Sequence, residues 1–124
     1  MADLIKPKEQ VFDLPDGEGS KTFILSMFPA TLGREIVKEW LPSMMPNSDY
    51  AKSQALMFKI MSHVAIVTDS GAQIRLVTQA LIDNHCTAEL ILDIEAAMME
   101  YNFASFRNGK VSEYLKALRL NFSS

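Results

Sequence analysis

Apolar residues repeat at helical spacing from residue 87 to residue 101, and they cover more than one face of the predicted helix. A first apolar face contains six side chains, namely Leu90, Ile91, Ile94, Ala97, Met98 and Tyr101. A second apolar strip lies beside it and contains Leu92, Ala96 and Met99. Acidic residues keep the rest of the helix polar: Glu89, Asp93, Glu95 and Glu100. A helix with two apolar strips either lies between two layers of its own domain or binds a partner.

Two short segments near the start of the chain alternate apolar and polar residues, over 11–14 and 21–25. The intervening Pro-Asp-Gly at 15–17 favours a turn, because proline presets one turn angle and glycine permits the next. This pattern predicts a β-hairpin whose apolar side packs on the helices that follow. Residues 1–10 are polar, and we expect them to form a flexible tail.

Helical spacing predicts four more helices, over about 29–42, 50–67, 77–84 and 111–120. A short extended piece is expected at 74–76. A chain of 124 residues is long enough for one domain with its own core. The sequence therefore predicts an α+β, mainly α fold: an N-terminal β-hairpin packed on a bundle of about five helices, in a single domain over 11–124.

The charge balance disfavours nucleic acid as the main ligand. The chain carries 12 basic and 15 acidic residues, a net charge of −3, with no basic cluster. We expect no signal peptide, because residues 1–10 have no apolar core followed by small residues. We also expect no membrane partner, because no apolar run approaches the ~18 residues of a membrane span. The single cysteine, Cys86, fits a reducing compartment. These features predict a cytoplasmic protein.

One group of residues resembles a catalytic or metal-binding set: Asp83, His85, Cys86, Asp93, Glu95 and Glu100. His85 and Cys86 are adjacent, so their side chains diverge and cannot act as base and nucleophile. The carboxylates of the predicted 87–101 helix, Asp93, Glu95 and Glu100, are expected to lie on its solvent side. Glycine-rich phosphate loops and paired CxxC motifs are absent from the sequence. We therefore predict no catalytic residue, no metal site and no cofactor.

Methionines and aromatic residues offer candidates for a binding surface. The chain has eight methionines, including the adjacent pairs Met44-Met45 and Met98-Met99. Neighbouring side chains on a helix point in different directions, so one member of each pair is predicted to be exposed, although core filling is the more common use of methionine. Phe103 and Phe106 either pack their loop onto the core or anchor a partner.

Four segments in order resemble the tail assembly chaperones of tailed bacteriophages: FDLPDGEGSKTFIL, FPATLGREIVKEW, LIDNH and EAAMMEYNFASFRNGKVSEYLKAL. Together they span most of the chain from Phe12 to Leu118. The resemblance implies a protein without enzymatic activity that coats the aggregation-prone tape measure protein, keeps it soluble and helps recruit tail tube subunits. It also implies action in the host cytoplasm during infection and absence from the mature virion.

Such a chaperone needs an apolar, adaptable surface that accepts an amphipathic helix. The residues predicted to form it are Leu92, Met99, Met44, Met45, Phe103 and Phe106. Self-association into a dimer or ring would satisfy the second strip of the 87–101 helix equally well. The alternative function is a structural component of the tail or baseplate that stays in the virion.

Overall fold

The computed structural model describes residues 7–14 and 17–106. Within these ranges the chain forms a four-stranded antiparallel sheet in the order β1-β2-β3-β4. The strands are β1 Lys8–Asp13, β2 Ser20–Leu25, β3 Val64–Val67 and β4 Gln73–Arg75. The helices are α1 Ala30–Ser43, α2 Tyr50–Met61, α3 Gln79–His85 and α4 Ala88–Asn102, followed by a 3₁₀ helix at Ala104–Phe106.

The predicted hairpin is confirmed. Strand β1 pairs with β2 along its whole length, with Phe12 opposite Lys21. The rings of Phe12 and Phe23 meet edge to face at 5.6 Å between centroids on the buried side of the hairpin. The strand begins at Lys8, so residues 8–10 are paired with β2, whereas residues 1–6 lie outside the described ranges.

The predicted five-helix bundle is wrong, because the segment that was expected to end the second helix is a strand. Helix α2 ends at Met61, and residues 64–67 form β3 between β2 and β4. Their sequence, Val-Ala-Ile-Val, has three β-branched side chains, which favour a strand. The hairpin is therefore half of a larger sheet, and the domain is a small α+β fold. The predicted helix at 111–120 lies outside the described residues.

Threonine and aspartate side chains begin three of the helices. The Asp49 carboxylate accepts a hydrogen bond from the N–H of Ala51 at 2.9 Å at the start of α2. The Thr87 hydroxyl accepts from the N–H of Leu90 at 3.2 Å at the start of α4. Thr78 begins α3 in the same way.

The core lies between the inner face of the sheet and the helices, and its fully buried side chains come from six elements and one loop. They are Phe23, Leu25, Ile36, Trp40, Ile60, Met61, Val64, Leu76, Ile82, Ile94, Met98 and Met99. The end of α4 is tied to the loop between β2 and α1, because the Asn102 side-chain oxygen accepts from the N–H of Phe28 at 2.8 Å. The C-terminal end of α4 is thereby linked to the segment that leads into α1.

Candidate interaction surface

The second apolar strip of α4, defined by Leu92, Ala96 and Met99, belongs mostly to the core. Met99 has no exposed surface, and Ala96 is also buried. Leu92 is half-buried and is the member of the strip that keeps accessible surface. The expectation that Met99 is available to a partner is therefore wrong for this fold, since a side chain buried in the core cannot contact a second protein without unfolding.

Phe103 and Phe106 are half-buried and pack on the helices. Ring centroids lie 6.2 Å apart between Phe103 and Phe28, and 6.1 Å apart between Phe103 and Phe106. The ring of Phe106 also meets Trp40 edge to face at 6.1 Å. The sequence allowed two roles for these phenylalanines, packing their loop onto the core or anchoring a partner. The ring contacts show the packing role.

Met44 and Met45 lie in the connection between α1 and α2. Met44 is half-buried and packs against the core, whereas Met45 is 44% exposed. The six predicted interface residues thus occupy three places: α4, this connection, and the segment from Phe103 to the last residue of the 3₁₀ helix. The structure brings Phe103 and Phe106 together, but it does not unite all six in one surface.

An open groove lies between α1 and α2, and Ser43 and Ser48 line it where the two helices are connected. The groove has a volume of about 470 Å³, and Leu56 contributes to its floor. Charged side chains of both signs line it: Glu35, Lys38 and Glu39 from α1, with Asp49, Lys52 and Lys59 from the start and length of α2. Lys59 forms an ion pair with Glu35 across the two helices. The groove offers a polar, mixed-charge rim around a small apolar floor.

A buried carboxyl group lies in the core that supports this groove. Glu95 of α4 is only 4% exposed, and its Oε1 accepts a hydrogen bond from the Trp40 indole Nε1 at 3.0 Å. Burial raises the pKa of Glu95 from 4.5 to about 7, while the hydrogen bond from Trp40 acts in the opposite direction. The placement of Glu95 on the solvent side of α4 is therefore wrong.

The sequence contains a signal for this pair that was missed. Trp40 is the only tryptophan of the chain, and a buried indole N–H requires an acceptor. On α4, Glu95 lies among buried neighbours from Ile94 to Met99. Its position between apolar residues could have indicated a core partner for Trp40.

Cys86, one of the residues considered for catalysis, is a half-buried thiol that follows α3. Burial raises the pKa of the Cys86 thiol to about 11, which keeps it protonated and weakly nucleophilic. The chain has one histidine besides His85, and this residue, His63, packs its ring edge to face on Phe28. The imidazole Nδ1 of His63 lies 3.1 Å from the carbonyl oxygen of Lys59. Within residues 7–14 and 17–106, no three histidine, cysteine or acidic side chains are grouped to bind a metal ion.

Several exposed apolar side chains remain on the surface. Among the described residues the large ones are Val11, Met45, Tyr50 and Val77. Val11 lies on β1, and Val77 follows β4, so two of the four mark the opposite edges of the sheet.

No helix in the described part of the chain is both long and apolar enough to cross a membrane. Comparison of the chain with protein-family models, with curated proteins and with solved structures found no match in any of the three.

Proposed function

We propose that this chain is a phage tail assembly chaperone that binds the tape measure protein, keeps it soluble and promotes assembly of the tail tube around it. The observation that carries the proposal is the ordered resemblance of four sequence segments between Phe12 and Leu118. The chaperone acts in the host cytoplasm during infection and is left out of the mature virion.

The groove between α1 and α2 is the surface we propose for the tape measure protein. A partner helix binds in a groove through a few apolar side chains, and its flanking charges pair with the rim. Here Leu56 provides an apolar floor, and the lysines and carboxylates of both walls suit a partner with mixed charges at helical spacing.

Co-expression tests the function and the site separately. We expect the chain to raise the soluble yield of the tape measure protein in a heterologous host. Ala55→Trp places a large ring in the groove at an exposed position of α2 and should remove that gain. Ala80→Trp is the matched control, because Ala80 is also an exposed helical alanine but lies on α3.

The outcomes are distinct. If the wild-type chain leaves the soluble yield unchanged, the proposed function is wrong. If Ala55→Trp folds, as judged by circular dichroism, and still raises the yield, the function stands and the groove is not the site. Mass spectrometry of purified virions addresses the alternative of a structural component, because a chaperone should be far below the stoichiometry of tail proteins.

A further inference from the structure

The two edges of the sheet are unpaired within the described residues, and each presents a regular set of backbone groups. The N–H of Leu14 donates to the carbonyl of Gly19 at 2.8 Å, so Leu14 and every second residue before it point their backbone groups towards β2. The groups of Glu9, Val11 and Asp13 therefore point away from the sheet. No further strand in residues 7–14 and 17–106 pairs with them.

The opposite edge follows the same rule. The N–H of Leu76 donates to the carbonyl of Val64 at 2.9 Å, so Ile74 and Leu76 face β3. The backbone groups of Gln73, Arg75 and Val77 point outward. Each edge thus offers three residues whose N–H and C=O groups can extend the sheet.

The side chains at these six positions lie on the outer face of the sheet. On β1 they alternate with Phe12, which is buried against the core, and near β4 they alternate with Leu76, which is fully buried. Val11 and Val77 are each 58% exposed. If the edge of a second copy pairs here, its inner face therefore continues the inner face of this sheet, and its outer face continues the outer face.

Pairing an edge with its own copy is disfavoured by charge. If β1 met β1 of a second molecule with Val11 opposite Val11, each Glu9 would lie opposite an Asp13, and like charges directly opposite destabilise a sheet. If β4 met β4 in its centred register, Arg75 would lie opposite Arg75. Neither edge is suited to a symmetric contact.

Pairing the two different edges removes both conflicts. In an antiparallel ladder with Val11 opposite Val77 of a second copy, Asp13 lies opposite Arg75, so an apolar pair and an ion pair form next to each other. On the inner face the same register places Leu14 opposite Ile74, two half-buried apolar residues at the edges of the core. This register therefore pairs the outward backbone groups, places opposite charges next to each other and brings apolar side chains into contact.

We propose that copies of this chain associate head to tail, with the β1 edge of one molecule pairing antiparallel with the β4 edge of the next. Such a contact is heterologous, so it generates an open array or a closed ring. The shared strand is short, and we expect reversible association that increases with concentration. The proposal concerns the chain alone and does not depend on the tape measure protein.

Sedimentation velocity on the purified full chain, from about 10 µM to about 1 mM, tests the contact. The weight-average sedimentation coefficient should rise with concentration. Val11→Pro and Val77→Pro each remove an edge-facing N–H without removing a hydrogen bond inside the sheet, and each should be monomeric alone. A mixture of the two should form a dimer and nothing larger, because one intact β4 edge meets one intact β1 edge.

A charge exchange provides a second test if a proline variant fails to fold. The exchange is made in a Glu9→Gln background, because an arginine at position 13 would otherwise pair with Glu9 in the symmetric β1–β1 register. In that background Asp13→Arg alone and Arg75→Asp alone should each weaken association about tenfold or more, and the double variant should restore it. A wild-type chain that stays monomeric throughout, a proline variant that folds and associates like the wild type, a mixture that stays monomeric or a double variant that stays dissociated would each overturn the proposal.

Discussion

Replacing Glu95 with glutamine should remove a pH-dependent loss of stability that the buried carboxyl group imposes on the fold. The carboxyl is only 4% exposed, and its pKa is raised from 4.5 to about 7, chiefly by burial. Above pH 4.5 the unfolded chain releases this proton while the folded chain retains it until about pH 7. Raising the pH through this window therefore favours the unfolded chain.

The size of the effect follows from the two pKa values. Each unit of pKa corresponds to 1.36 kcal/mol, so the rise from 4.5 to about 7 amounts to about 3 kcal/mol. This contribution is fully present below pH 4.5 and is lost by about pH 8. Glutamine is uncharged, and its side-chain oxygen can still accept the hydrogen bond from Trp40. The difference in unfolding free energy between variant and wild type should grow by about 3 kcal/mol over this range.

Urea unfolding at a series of pH values measures this difference. Trp40 is the only tryptophan and donates to Glu95, so its fluorescence reports on the site itself. Taking the difference between variant and wild type cancels the titration of the other carboxylates. Met99→Leu is the control, because it changes a neighbouring core side chain of α4 but keeps the carboxyl group, and it should retain the full pH dependence.

A difference between Glu95→Gln and the wild type that stays constant from pH 4.5 to pH 8 would refute this reasoning. It would mean that the carboxyl ionises in the folded chain as easily as in the unfolded chain. The burial of Glu95 against Trp40 would then be wrong.

Three further changes test the fold with measurements of unfolding free energy. Gln10→Pro should destabilise the chain by about 1–3 kcal/mol because it removes an N–H that faces β2, whereas Val11→Pro should cost much less because its N–H faces outward; equal costs would contradict the assigned strand pattern. Thr87→Ala should cost about 0.5–2 kcal/mol by removing the cap of α4; an unchanged stability would show that the cap contributes nothing. Gly33→Ala should stabilise α1 by about 0.5–1 kcal/mol, because the added Cβ would lie 3.5 Å from the Cβ of Phe28, an ordinary contact; a loss of stability would show that the site is tighter.

Local patterns predicted most of the elements but not how the strands join. The hairpin and the helix over 88–102 follow from alternation and helical spacing within short windows. The boundary between α2 and β3 could not be predicted in this way. The apolar stripe of α2 continues at helical spacing into the strand, through Met57, Ile60, Met61 and Val64. The strand depends on pairing with β2, whose residues lie 39 to 45 positions earlier in the chain, and no local pattern contains that pairing.

The candidate surface was misplaced for a related reason. Periodicity shows which side chains share a helix face, but it does not show how many faces the rest of the domain covers. Met99 and Glu95 were both expected to contact solvent or a partner, and both are buried in the chain's own core. Exposure depends on the tertiary packing, which brings Trp40 of α1 against α4.

The burial of α4 decides between the two explanations for its second apolar strip. A helix with two apolar strips lies between layers of its own domain or binds a partner, and Ala96 and Met99 are covered within the chain itself. The surplus apolar surface therefore does not require a partner at α4. Among the described residues the exposed large apolar side chains lie elsewhere: Met45 in the connection between α1 and α2, Tyr50 at the start of α2, and Val11 and Val77 at the sheet edges. Any partner that this chain binds as a folded protein must use accessible surface, so the experiments on the groove and on the edges address the regions where binding is physically available.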